Sequence, residues 1–247
     1  MHTDATTTID VAQLLSLCDG HFPGDPLVPG ALQLRLGVEL VRESLGVHPT
    51  EIRRAAFRAP LRPTGPARVR AIHRPDRKLA TVEVLDHAGE RCSSFELRFD
   101  PIAAPPPSSR PGCEDQALLG PDAIMNSLRH QPPALFIHEQ LTQTARGASF
   151  SGRARPRWHW GELLDGAAQA AGLSLRRELE VEGQPIYVAA FERVVLPDQH
   201  EPRALDPRFV VESVRRVLNL HQFRFAVVDS DDQTIQLSGL VALAKAS

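Results

Sequence analysis

HFPGDPLVPGAL spans residues 21–32. Three prolines and two glycines surround one histidine, His21, and an apolar run follows at once. The prolines restrict the backbone, and Pro29 suits the first position of a helix because its missing N–H has no intrahelical partner there. Behind it the spacing predicts a helix over Gly30–Leu45. Leu32, Leu36 and Leu40 form one stripe, and Leu34, Val38, Val41 and Leu45 form another. Arg35, Glu39 and Arg42 fall on a narrow third stripe. Apolar residues on two sides predict a helix wrapped by a sheet. An imidazole fixed at the entrance of such a helix is structural unless a partner group meets it.

The rest of the chain narrows the search for that partner. The 247 residues are 42% hydrophobic and 23% charged, ordinary for a globular fold with a full core. A net charge of −2 gives no bulk attraction to nucleic acid or to an anionic membrane surface. No apolar run approaches the length of a membrane span, and the polar start MHTDATTTID carries no apolar leader pattern. Cys18, Cys92 and Cys113 are odd in number and lack metal-ligand spacing, so reduced thiols and a cytoplasmic setting are expected.

A proline- and serine-rich stretch, DPIAAPPPSSRPG at 100–112, reads as a semi-extended linker. It separates two halves with one plan: residues 1–100, a linker over 101–119, and residues 120–247. Each half has a helix pattern, at 30–45 and 161–178. AAFRAPLRP (55–63) compares with AAFERVVLP (189–197). Each half closes in β-rich sequence around an acidic turn, Asp86-His87-Ala88-Gly89 and Asp229-Ser230-Asp231-Asp232. A helix followed by antiparallel strands, twice over, is an α+β arrangement.

The second helix reads GELLDGAAQAAGLSLRR. Asp165 and Gln169, four apart, share one face among alanines and glycines that let a sheet approach closely. A carboxylate in such surroundings needs a partner. The alternative is an exposed acid near a helix N-terminus, favoured by the helix dipole.

His21-Phe22-Pro23-Gly24, with Pro26, Pro29 and Gly30, resembles the active-site motif of the 3-hydroxyacyl-acyl-carrier-protein dehydratases. LLDGAAQAAG is similar to that family's acid-bearing helix, and to the DxxxQ pattern of polyketide synthase dehydratase domains. HQPPALFIHEQL (130–141) is similar to the family's N-terminal signature. The resemblance implies a tandem, double hotdog fold, each half a central helix wrapped by an antiparallel sheet. The family's acid follows the histidine by fourteen positions. Here that position is Arg35, and fourteen residues before Asp165 stands Ser151. The first half has kept the histidine and lost the acid; the second has done the reverse. The resemblance therefore implies one composite site, His21 with Asp165, and a dead counterpart at Ser151 and Arg35. The family's first strand is expected to be missing or degenerate, so close does the chain begin to HFPG.

The implied reaction removes water from a 3-hydroxyacyl thioester, giving a trans-2-enoyl thioester. His21 would be the base, since imidazole titrates near neutrality. Asp165 would be the acid, its pKa raised by an apolar setting. Gln169 would orient Asp165. The Gly30 N–H, at the helix entrance, would bind the thioester carbonyl. Pro29 and Phe22 would support the loop. No metal and no cofactor are implied beyond the 4'-phosphopantetheine that carries the substrate on acyl carrier protein. Arginines at 53, 54, 58, 62, 68, 70, 153, 155 and 157 could dock such an acidic carrier, though most read as solvated faces. Arg35 is expected to pair with Glu39, His159 to pack between Trp158 and Trp160, and His130 and His138 to lack a third metal ligand. The setting is fatty acid, polyketide or aryl-polyene-type pigment synthesis. A homodimer, or a complex with another hotdog subunit, is compatible with the pattern. Competing readings are a hydratase running the reverse reaction, a hotdog thioesterase, and a non-catalytic acyl-binding scaffold.

Overall fold

A computed structural model describes residues 2–100, 118–179, 186–197, 204–231 and 233–245. The linker expected over 101–119 thus lies outside the described residues except for its last two positions. In the first half, β1 (Thr3–Ile9) and a short helix α1 (Val11–Leu17) precede the histidine loop. Helix α2 (Gly30–Leu45) follows, then β2 (Glu51–Phe57), β3 (Ala67–Arg74), β4 (Leu79–Leu85) and β5 (Arg91–Arg98). The second half has α3 (Pro121–Ser127), β6 (Ile137–Gln143), β7 (Gly147–Gly152) and α4 (Trp160–Leu179). It ends in β8 (Ile186–Val195), β9 (Pro207–Val217), β10 (Leu220–Asp229) and β11 (Ile235–Lys245).

Among the described residues, eleven strands form one antiparallel sheet in the order β1-β3-β4-β5-β2-β8-β11-β10-β9-β7-β6. The two halves meet where β2 pairs with β8, Ala55 opposite Phe191 and Ala56 opposite Ala190. The two AAF repeats, 55–57 and 189–191, therefore run antiparallel against each other around Ala56 and Ala190. Glu51, fully buried at this seam, bonds Arg53 at 2.9 Å and also Arg193 of the other half. Each half-sheet wraps its own helix: α2 packs on β1, β3, β4 and β5, and α4 on β7, β9, β10 and β11. The two helices also touch each other. This is a double hotdog, α+β in class.

Local chemistry explains the elements. Asp10 caps α1, its carboxylate accepting from the Gln13 N–H at 2.7 Å. Helix α2 keeps the expected span and ends at Gly46, whose φ of 63° is the left-handed cap that glycine favours. Gly37 brings the helix against the sheet: a Cβ there would fall 2.4 Å from Phe95. In the β4–β5 turn, Asp86 accepts from the Ala88 and Glu90 N–H groups, each at 2.9 Å.

Two expectations need correction. The first strand is present: TDATTTI forms β1, paired with β3 from Thr3 opposite His73 to Ile9 opposite Ala67. Its β-branched threonines suit an edge strand, and Ala5 and Ile9 bury on the core side. Pro29 is the N-cap of α2 in extended conformation, and Gly30 is the first helical residue.

Candidate active site

The loop between α1 and α2 fixes His21. The His21 N–H donates to Cys18 O at 2.8 Å, and the Asp25 N–H to Phe22 O at 2.9 Å. The Val28 N–H reaches across to Leu61 O. Gly20 (φ +76°), Phe22 (φ +47°) and Gly24 (φ +86°) take left-handed positions, which the two glycines adopt freely. Gly20 also meets the second half: its carbonyl accepts from the Gln131 N–H at 2.8 Å, and a Cβ there would fall 2.3 Å from Gln131 O. Only glycine fits both constraints.

That contact delivers the imidazole to α4. His21 Nε2 lies 3.1 Å from Asp165 Oδ2, both side chains buried, across 144 positions of sequence. Gln169 donates from Nε2 to Asp165 Oδ2 at 2.9 Å and to Ala134 O at 2.8 Å. Its Oε1 accepts from the Phe136 N–H at 3.0 Å. The amide thus ties the acid to the loop ahead of β6.

Asp165 of this pair lines a cavity of about 270 Å³ made by both halves. Phe22, Pro29, Gly30 and Gln33 contribute from the first half, and His130, Asp165, Ala168 and Gln169 from the second. The start of α2 has no side-chain cap at Pro29, and Gly30, its first residue, lines the cavity. Gly30 is also sterically required: a Cβ would fall 2.6 Å from the Phe57 ring. Arg58, Arg129 and Arg176 line the same cavity.

Electrostatics departs from expectation at Asp165. Burial is the largest influence and pushes its pKa up, as expected. The bond from His21, the charges of His21 and His130, and the Gln169 bond together outweigh it, so the carboxyl sits below its usual range. Small apolar neighbours alone misjudge this group because its hydrogen-bonding partner comes from the other half of the chain.

His130 belongs to this site, which the sequence reading missed. Its ring is edge-on to His21 with centroids 5.3 Å apart, and 5.0 Å from the Phe22 ring. Ligand atoms of His21, His130 and Asp165 all lie within 4.8 Å of one another, a spacing that could hold a metal ion. Local spacing gave His130 no third ligand because the set is assembled from both halves. The HQPPALF signature was the available signal. His138 is exposed on β6 and takes no part.

The other candidates separate clearly. Arg35 Nε donates to Glu39 Oε1 at 2.7 Å, as expected. His159 packs against Trp160, with its Nδ1 accepting from the Gly161 N–H at 3.1 Å and its Nε2 3.7 Å from Glu39 Oε1. Ser151 stands in β7 opposite Arg208, its hydroxyl buried without a hydrogen-bond partner. Of the arginines, Arg53, Arg54 and Arg70 pair with Glu51, Glu96 and Asp4. Arg155 pairs with Glu162 and stacks on Phe136 and Trp158. Arg58 alone of that set lines the cavity. Arg62 pairs with Asp25 on the histidine loop.

The fold is a double hotdog, with this composite pair where its two halves meet. Residues 1–96 match the family model of ApeI-like proteins, described as ApeI dehydratase. Among solved structures, the dehydratase domain of a mycocerosic acid synthase-like polyketide synthase is similar, with a TM-score of 0.73 and 16% identity, covering 100% of this chain and 92% of that one. The PpsC dehydratase domain from Mycobacterium tuberculosis, solved with C12:1-CoA, has a TM-score of 0.73 and 18% identity over 99% of this chain and 94% of that one. The dehydratase-cyclase domain of ambruticin biosynthesis has a TM-score of 0.69 and 16% identity over 100% and 91%. No curated protein sequence matches the chain.

Proposed function

We propose that the chain is a dehydratase of 3-hydroxyacyl thioesters, giving trans-2-enoyl thioesters. The observation that carries this reading is the 3.1 Å contact between His21 Nε2 and Asp165 Oδ2, made between the two halves at a shared cavity. A base and an acid suffice for this reaction, and the substrate's own phosphopantetheine serves as its carrier arm.

The chemistry follows from the balance at Asp165. With His21 in contact, the carboxylate is favoured. A thioester entering between the two groups weakens that contact. Burial, the largest influence on Asp165, then pushes the carboxyl toward its protonated form with less to oppose it. This leaves a neutral imidazole facing C2 of the substrate and a carboxylic acid facing the 3-hydroxyl. His21 takes the C2 proton, that electron pair forms the C2–C3 double bond, and the C3–O bond breaks as Asp165 delivers its proton to make water. The pair returns as imidazolium and carboxylate. Meanwhile negative charge builds on the thioester carbonyl, where the Gly30 N–H and the positive end of α2 oppose it.

Arg58, Arg129 and Arg176 favour an anionic carrier, such as the phosphopantetheine of an acyl carrier protein. Arg176 stands three turns along α4 from Asp165, about 16 Å by helical rise. Similarity to polyketide dehydratase domains favours polyketide-type over housekeeping fatty acid synthesis. Free, buried Cys18 and Cys92 support a reducing, cytoplasmic setting. Among the described residues no helix is long and apolar enough to cross a membrane.

The test is hydration of a short enoyl thioester on pantetheine or carrier protein, followed by loss of the conjugated enoyl absorbance. Wild type and Ser151→Ala should be active. His21→Ala and Asp165→Asn should each lose about 10³-fold in kcat, the size of a general acid–base contribution. Activity surviving His21→Ala but failing with Asp165→Asn would point to thioester hydrolysis instead. A wild type silent on several chain lengths with a cognate carrier would favour an acyl-binding scaffold.

A further inference from the structure

We propose that His130 is the group that binds the substrate's 3-hydroxyl, through its Nδ1, and thereby selects 3-hydroxyacyl thioesters over their saturated counterparts. The assignment rests on the dehydratase reading and adds a third point of contact to it. His130 lines the cavity, and one of its ring nitrogens lies within 4.8 Å of a ring nitrogen of His21 and a carboxylate oxygen of Asp165. Its Nδ1 is buried and has no hydrogen-bond partner, as is His21 Nδ1. A buried, unpaired nitrogen on a ring beside a reacting pair calls for a ligand group to satisfy it.

The chemistry of the ring narrows what that group does. Burial, chiefly, holds the His130 pKa down to about 4, with His21 and Arg129 adding to the effect against the pull of Asp165. A ring that stays neutral near pH 7 is a poor base for C2 and has no extra proton to give the leaving oxygen. Hydrogen bonding remains. When Asp165 protonates the 3-hydroxyl, the oxygen becomes water and its O–H can donate to a bare imidazole nitrogen. Neutrality matters for a second reason: a charged His130 would repel the imidazolium forming on His21. The backbone holds His130 in place through the adjacent Gln131 N–H, which donates to Gly20 O at 2.8 Å. The same bond holds the His21 loop, so one contact fixes the backbone beside both rings.

The experiment compares the KM of a 3-hydroxyacyl-pantetheine with the inhibition constant of the saturated acyl-pantetheine of equal length. In wild type the hydroxylated compound should bind more tightly. In His130→Phe its KM should rise ~10-fold, the cost of one lost hydrogen bond to a discriminating hydroxyl, with the saturated compound's inhibition constant unchanged. His130→Gln, a neutral hydrogen-bonding side chain, should restore most of the preference. Should His130→Phe not fold, the imidazole ¹⁵N resonances of His130 in the His21→Ala protein serve instead. The hydroxylated compound should shift Nδ1 and the saturated one should not. Wild-type turnover with an unchanged preference in His130→Phe, or equal ¹⁵N shifts with both compounds, overturns the role of His130 alone. Absence of wild-type turnover overturns the dehydratase reading and this assignment with it.

Discussion

A histidine held at a pKa of about 4 ties stability to pH at a single position. In the unfolded chain His130 takes up a proton near pH 6.5; in the folded chain it does so only near 4. The folded pKa is depressed, so the contribution is complete above pH 6.5 and is lost as pH falls toward 4. The size is about 3 kcal/mol, from 1.36 kcal/mol per unit of pKa difference. Urea unfolding at pH 7.5 and pH 4.5 should therefore show a larger loss in wild type than in His130→Gln, which has nothing to protonate. Equal losses in the two proteins would mean that His130 is not held neutral. Asp165 shows why such states escape a sequence. Its alanine and glycine neighbours are local and legible, and they argue for a raised pKa. His21 and His130 arrive from 144 and 35 positions away, and they reverse the direction.

The two central helices differ in how they meet the sheet. Helix α4 presents a run of small residues, and its Gly166 would place a Cβ 2.6 Å from the Phe209 ring. Helix α2 uses one glycine, Gly37, beneath Phe95 and Val82. Alanine at 37 would gain about 1 kcal/mol of helix propensity. It would also push a methyl group to 2.4 Å from the rim of Phe95, a ring 2% exposed with no room to retreat. Overpacking of this kind costs ~1–3 kcal/mol, so Gly37→Ala should destabilise despite the better helix former. A lower urea midpoint with an unchanged slope is the expected result; a raised midpoint would mean that α2 and the sheet can part cheaply. Helix α2 was legible to its ends because leucines, a proline and a glycine mark it. Strand β1 was not. Four of its seven residues are threonine, and its pairing with β3 is non-local.

Across the whole molecule, the antiparallel meeting of β2 and β8 makes the halves near-equivalent, so two sites would arise if each half kept both groups. Arg35 and Glu39 stand on α2 with the same i, i+4 spacing that Asp165 and Gln169 have on α4. The sequence already separates a histidine motif in the first half from an acid motif in the second, because each lies in a short run with its own spacing. The cavity and its third ring stayed hidden, being built from loops of both halves. At the second position the ion pair of Arg35 with Glu39, and His159 3.7 Å beyond, replace a reacting pair with fixed charges. Both side chains of that ion pair are close to one-third exposed, at 31% and 28%. Exposed i, i+4 pairs contribute only ~0.3–0.5 kcal/mol. Arg35→Ala should accordingly shift stability by less than about 1 kcal/mol and leave enoyl hydration within about two-fold of wild type, since 1.4 kcal/mol at the transition state would be needed for ten-fold. Steady-state assay and urea unfolding of this one variant, beside Asp165→Asn, measure the asymmetry directly. Turnover lost equally in both would mean that the second position still takes part in the reaction. Turnover lost only in Asp165→Asn would leave a single working site in a molecule built with room for two.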